Sequence, residues 1–377
     1  MPTTKPAVRQ LLPLLAVALS LAACSPATDP VTIAVAGPLS DLRGRAMRQG
    51  AELARDEINA RGGVRGRPIE LRFADDSADP DVAARVAQRI ADDPHVLAVV
   101  GHLTSSASVV AGQIYGAGPD PVVMLAPATS SADLSALTPW AFRLCPTDSS
   151  YGTSLARFAR HALGARRAAI IFLATEYGRG IRTAFATDFA RLGGTVVEAD
   201  PYVPELASVE PYLQRMRRAG IDVLLLATEQ GGAELALRQI RTVGLRAPVL
   251  GGDALAGLEE QGTLAEGLHV STAYLPDEPS ELNAAFVAAY ARTFPAQRPD
   301  ARAAGAYDAV TVLADAMASA GPSRASIRRY LSDLGQRLPA VAGVMGPIAF
   351  DSAGNSPARR VVIGTVRGGR LVLETGP

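Results

Sequence analysis

From Val31 onward the chain alternates short runs of β-branched and aliphatic residues with longer segments of helical period, and the alternation occurs twice. VTIAVA (31–36) reads as a strand, and PIELRFA (68–74) as the next. Between them MRQGAELARDEINA (47–60) reads as a helix with Ala51, Leu53, Ala54 and Ile58 along one face. DVAARVAQRIA (81–91), VLAVVG (96–101), SASVVAGQIYG (106–116) and PVVMLAP (121–127) continue the rhythm. Strand, helix, strand in this order gives a parallel sheet covered by helices on both faces, so the predicted class is open α/β. After a break at FRLCPTD (142–148) the rhythm restarts. Helices are predicted over 151–163, 179–192, 209–219 and 232–243, between strands at 168–174, 195–202, 221–227, 247–252 and 268–274. Three helical segments follow (281–294, 303–320, 326–334), then period-two strands with a turn around Gly354 and a hairpin on Gly368-Gly369. Two α/β units of similar size, with a tail able to rejoin either, predict two lobes and several chain crossings. A length of 377 residues suits two or three domains.

The first 23 residues read as an address. Lys5 and Arg9 precede the apolar run LLPLLAVALSLAA, which ends at Cys24. A positive n-region before a short apolar h-region is a secretory signal, and the run is short of the ~20 residues a spanning helix needs. Leu21-Ala22-Ala23-Cys24 looks like a bacterial lipobox, predicting cleavage before Cys24 and a lipid on its sulfur. Residues 24–30 then form a tether. Loss of residues 1–23 removes two cations and no acids, leaving 35 Arg (37 − 2) against 37 acids, a net charge of about −2. With Cys24 lipidated, Cys145 has no partner and reads as a small buried residue.

Several chemistries are excluded. Near-zero net charge argues against nucleic acid, which calls for a basic stripe. The single lysine, Lys5, removes P-loops ending in Gly-Lys and Schiff-base chemistry from the body. His95, His102, His161 and His269 stand at no metal-ligand spacing, and neither GxGxxG after a strand nor GxSxG occurs. RGGVRGR (61–67) lies between a helix and a strand and reads as a C-cap and turn, not a phosphate loop. The expectation is a binding protein without metal or cofactor, not an enzyme.

In open parallel sheets ligands sit beyond the carboxyl ends of the strands. The loops there are GPLSDLRG (37–44), GHLTSSAS (101–108), APATSSADLS (126–135), ATEYGRG (174–180), ATEQGG (227–232) and GGDALAG (251–257). Their Ser and Thr either cap helices, as Ser105 and Ser131 could, or supply hydroxyls beside free N–H groups for an anion. Asp253 likewise is either a cap or a ligand group. Hydroxyls on one lobe, with carboxylates and a tyrosine on the other, suit a zwitterion.

At these loops the sequence resembles the type I periplasmic binding proteins, specifically the branched-chain (Leu/Ile/Val) amino-acid receptors of ABC transporters. The stretches carrying the resemblance are GPLS, GAELARDEINARGGVRGRPIELRFADD, GHLTSSAS, APATSSADLS, FRLCPTD, EYGRG, LRQIRTVGL, GGD and MGPIAFDSAGN, from about Gly37 to Asn355. The resemblance implies two Rossmann-like parallel-sheet lobes joined by three crossings and closing like a clamshell. Lobe one would be 31–147 plus 276–344, and lobe two 148–275 plus 345–377, with crossings near Pro146, Pro276 and Met345. It also implies that Ser105, after Leu103 and Thr104, takes the ligand carboxylate. Ala128 and Ser130, with Thr129 between them, would take the ammonium group, opposite Tyr177 and Asp253 of the second lobe. Asp253 stands where the family often has Glu, one methylene longer.

Two departures make the side-chain end of the site more polar than leucine favours. Arg43 falls where an aromatic often stands, and Glu229 and Gln230 lie near the family's second tyrosine. The implied function is a lipid-anchored, extracytoplasmic receptor delivering an amino acid or related solute to an ABC permease. A sensor of an amide or other metabolite on the same fold, and a structural envelope lipoprotein without a ligand, are the alternatives. Ser25 after the cysteine is not the aspartate associated with inner-membrane retention.

Overall fold

The computed structural model describes residues 29–295 and 297–374, with Met1 and Thr3; the signal segment and Cys24 lie outside the described residues. Five parallel strands form the first sheet: β1 (Val31–Gly37), β2 (Ile69–Asp75), β3 (Val96–Gly101), β4 (Val123–Ala126) and β5 (Ala141–Arg143), in the order β2-β1-β3-β4-β5. The second sheet takes β6 (Arg167–Leu173), β7 (Thr195–Tyr202), β8 (Val223–Ala227), β9 (Val249–Gly251) and β10 (His269–Thr272), all parallel. After a small ribbon of β11 (Val341–Gly343) and β12 (Gly346–Ile348), the hairpin β13 (Val362–Arg367) and β14 (Arg370–Leu373) adds antiparallel to β10. The order is β14-β13-β10-β9-β8-β6-β7. All seven residues of β1 and all five of β8 are buried, as continuous apolar runs covered on both faces should be.

Helix starts differ from the sequence expectation by about a turn. The first helix is Leu42–Ala60, not 47–60, because Asp41 caps it by accepting from the Gly44 amide (2.9 Å). The helix expected from Tyr151 spans Asp148–His161, with Thr147 accepting from the Ser150 amide, and the one expected from Arg179 spans Glu176–Arg191. RGGVRGR is a turn, as predicted: Gly62, Gly63 and Gly66 all have positive φ. Asn59 clamps its far side, donating to the Ile69 carbonyl (3.0 Å) and accepting from the Ile69 amide (2.7 Å).

After β10 the chain returns to the first sheet. Helix Ala301–Ala320 packs on helix Leu42–Ala60 so closely that a Cβ on Gly50 would lie 2.0 Å from the Ala303 carbonyl oxygen. A fully buried ion pair ties the last return. Arg359 donates to Asp308 (2.8 Å), and Asp308 also accepts from the Val344 and Met345 amides (2.7 and 3.2 Å). Burial pushes the Asp308 carboxyl up against the pull of Arg359 and those amides.

The expected crossing near Met345 does not match the packing of the segment that follows. Ile348 and Phe350 join the core of the first sheet, Phe350 edge-on to Phe142 (5.1 Å), and the Asn355 carboxamide accepts from Ser135. Residues 346–355 therefore pack with the first sheet, because their apolar side chains complete its core. The return to the second sheet comes after Arg359.

A cleft lined by hydroxyls and buried acids

Each sheet sends its carboxyl-end loops toward one cleft between the lobes. Leu103, Thr104 and Ser105 follow β3, and Ala128 and Ser130 follow β4. From the second sheet come Tyr177 after β6, Glu229 after β8 and Asp253 after β9. These residues share a cavity of about 50 Å³, with room for a few waters. Arg43, Ala254 and Arg302 complete its wall.

Two expected residues stand elsewhere. Thr129 is fully buried beneath the loop, its hydroxyl 2.6 Å from Ser108 Oγ and donating to the His102 carbonyl (3.3 Å). Its neighbours Ala128 and Ser130 line the cavity, so Thr129 braces the loop they sit on. Gln230 donates to the Ala256 carbonyl (2.7 Å) and faces an adjoining, larger cleft of about 640 Å³.

His102 explains how the Leu103–Ser105 loop is held. Its ring is buried, with Nδ1 2.5 Å from Asp76 Oδ2 and Nε2 3.1 Å from the Tyr115 hydroxyl. That polar strut runs beneath β3 and accounts for a histidine that lacked metal-ligand spacing. Among the described residues no cluster of His, Cys, Asp and Glu could hold a metal ion.

The helices opening on the cleft have residues able to cap them that make no cap bond. Thr104 precedes helix Ser105–Tyr115, Thr175 precedes Glu176–Arg191, and Glu229 precedes Gln230–Val243, all in extended conformation and none accepting from the first turn. The Oγ1 atoms of Thr104 and Thr175 are buried without a partner among the described residues. By contrast, Asp79, Ser280 and Ser323, away from the cleft, make their cap bonds, as do Asp41 and Asp300 behind the wall residues Arg43 and Arg302. Free N–H groups at a positive dipole end suit a carboxylate. Ser105, one of the two expected caps, is instead the first helical residue; Ser131 does accept from the Asp133 amide (3.2 Å).

Asp253 starts a three-residue 3₁₀ turn, Asp253–Leu255, whose cap position is Gly252. Its Oδ1 is buried with no partner among the described residues, while the carboxyl also takes hydrogen bonds from the Asp253 and Ala254 amides. Burial pushes its pKa up to about 6, against the charge of Arg302 and the Tyr177 hydroxyl. Tyr177 is itself buried, accepts from the Ala254 amide (3.2 Å), and is pushed up by burial and by the Asp253 charge.

A second acid was missed from sequence. Asp148, 4% exposed, has its amide bonded to the Ser130 carbonyl (2.9 Å) and its Oδ1 without a partner among the described residues. Burial is the main cause of its rise to about 7; the Asp253 charge adds to it, while the Ser130 hydroxyl and Arg143 oppose it. In the sequence Asp148 falls in the break FRLCPTD, ahead of the predicted helix, and no local signal marks it as a site residue.

At the other end of the cavity, Arg43 spans the two lobes. It donates to Asp41 through Nε and Nη2 (3.0 and 2.7 Å) and to Glu229 through Nη1 (2.6 Å). Ser106 also donates across the cleft to Glu176. The geometry therefore offers donors on the first lobe, two poorly solvated acids near its second wall, and an ion pair at the remaining side.

A family model described as periplasmic binding protein matches residues 30–370. Leu/Ile/Val-binding protein homolog 3 of Brucella melitensis biotype 1 is 28% identical over 333 residues, covering 86% of this chain and 89% of that protein. An ABC transporter substrate-binding protein from Desulfitobacterium hafniense, solved in complex with Leu, has a TM-score of 0.79 at 32% identity, covering 92% of this chain and 100% of that one. A solute binding protein from Rhodopseudomonas palustris BisB5, solved in complex with 3,4-dihydroxy benzoic acid, shares the fold at 23% identity and a TM-score of 0.78, covering 92% and 96%.

Proposed function

Because the chain belongs to the periplasmic binding protein family, we propose that it is the extracytoplasmic substrate-binding component of an ABC transporter and holds a small α-amino acid between its lobes. The observation that carries this reading is the pair Asp148 and Asp253. Asp148 is buried and Asp253 half-buried, and each keeps one buried carboxyl oxygen without a partner among the described residues, which is costly unless a cation completes it. In this reading the ligand ammonium group sits on Asp253, the Ala128 carbonyl and Ser130, with Asp148 behind them. The ligand carboxylate takes the Ser105 hydroxyl and the open N-terminus of helix Ser105–Tyr115. Leu103 and Tyr177 form walls, and Thr129 supports from below.

The lobes close on the ligand as a clamshell, lobe one being 31–147 with 276–359 and lobe two 148–275 with 360–377. Delivery is to the membrane subunits of a permease. Lipid on Cys24 would keep the receptor at the membrane surface, outside the cytoplasm.

A thermal-shift screen of amino acids and amides tests the ligand class, since a ligand at 100 times its Kd adds about 2.7 kcal/mol. Calorimetry then follows the hit and its des-amino analogue. Removing one member of a buried charge pair costs about 2–5 kcal/mol, so Asp253→Asn should weaken the amino acid roughly 30- to several-thousand-fold and the analogue far less. Ser105→Ala should weaken both. Unchanged affinity of Asp253→Asn for the amino acid would sink the assignment.

A further inference from the structure

The cavity of about 50 Å³ is walled on one side by the Arg43–Glu229 pair. Arg43 comes from the first turn of helix Leu42–Ala60, and Glu229 stands at the start of helix Gln230–Val243 on the other lobe. All three guanidinium nitrogens of Arg43 are engaged, two by Asp41 and one by Glu229. The Arg43 side chain is 18% exposed and that of Glu229 36%, so the pair lies at the border of the cavity, half out of water.

We infer that this cross-lobe ion pair sets the length and polarity of the ligand side chain, and that the site takes α-amino acids with short neutral side chains, such as alanine and serine, in preference to leucine. The inference rests on the amino-acid reading above and goes one step further, to the substrate class. An isobutyl group lying against the pair would leave Arg43 and Glu229 desolvated against carbon or push Arg43 toward the adjoining larger cleft, whose wall it shares. An acidic side chain would meet Asp41 and Glu229, which already occupy Arg43. A basic one would meet Arg43 and Arg302, the latter held by Asp300 (2.9 Å) and the Ala254 and Ala256 carbonyls (3.2 and 3.1 Å). Both charge signs are therefore disfavoured, and a methyl or hydroxymethyl group leaves the pair intact. Because the pair forms only when the lobes meet, a short ligand also keeps its contribution to closure.

The experiment is calorimetry of L-alanine, L-serine and L-leucine on the full receptor and on Arg43→Ala, Glu229→Ala and the double variant. The wild type should bind alanine or serine at least tenfold more tightly than leucine. Each single variant should shift that ratio toward leucine by at least tenfold, and the double variant should add little to either, since both singles break the same pair. A wild type that prefers leucine overturns this inference while leaving the amino-acid reading standing. So does an unaltered ratio in a variant that still binds. If none of the three ligands nor any other α-amino acid binds the wild type, the amino-acid reading falls, and this inference falls with it.

Discussion

Binding of an amino acid should depend on pH in a way that follows from the two buried acids. In the empty cleft Asp253 titrates near 6 and Asp148 near 7, both raised chiefly by burial. Asp253 faces Arg302 and Tyr177, while Asp148 faces Arg143, Asp133 and Asp253 itself. An ammonium group placed against them favours the ionised forms and draws both pKa values down. Below pH 6, then, binding must first strip protons, and affinity rises with pH until the empty protein is already ionised. If Asp253 alone ionises in the complex, linkage gives about a tenfold gain in affinity between pH 5 and pH 8, levelling above pH 6. If Asp148 ionises too, the gain approaches about a thousandfold and levels only above pH 7. Calorimetry in buffers of different ionisation enthalpy measures the same protons directly, as release on binding at pH 6. Asp148→Asn should leave only the Asp253 part of the profile. Affinity that is flat from pH 5 to 8, with no proton release, would refute the placement of the ammonium group at these acids.

The empty protein should show the converse. A folded-state pKa raised above its unfolded value means the folded form binds more protons between about pH 4 and pH 7, so this contribution to stability is lost as pH rises through that window. Asp148→Asn should flatten the decline in urea-unfolding free energy, and an unchanged slope would count against burial as the cause of the shift. Asp308→Ala removes the acid paired with Arg359 in the buried pair and orphans two amides; it should cost about 3–5 kcal/mol in the same assay, and a loss within 1 kcal/mol would argue that the crossing is held by other contacts. Cys24→Ala should abolish incorporation of labelled palmitate, and label that persists in this variant would defeat the lipidation reading.

The strands were readable because their burial is of one kind. VTIAVAG and VLLLA are apolar throughout, and only a sheet covered on both faces buries every residue of such runs. Helix beginnings were less readable, since the cap that starts each one sits inside a polar loop. Asp41 and Thr147 look like loop residues until their side chains are seen accepting from the amide three positions on. The third crossing was misplaced for a different reason. The short runs around 346–350 carry no mark of which sheet they will complete, and contacts far away in sequence, such as Phe350 with Phe142 more than two hundred positions earlier and Asn355 with Ser135, decide it.

The site divides along the same line between local and distant information. Ser105, Tyr177 and Asp253 stand just past strands, where strand order alone directs attention. Asp148 and the Arg43–Glu229 pair depend on partners far away in sequence: Asp253 is 105 positions from Asp148, and Glu229 is 186 from Arg43. The caps show most sharply why residue type is insufficient. Thr104 and Thr175 are ordinary capping residues by identity, as are Thr147 and Ser280, yet the latter two satisfy their helices and the former two leave a buried hydroxyl and an open first turn. An unmet hydrogen bond of that kind is disfavoured in a folded core by about 1–3 kcal/mol. Finding several at one place, beside two carboxyl groups in the same condition, is the physical signature of a surface completed by something the chain does not itself contain.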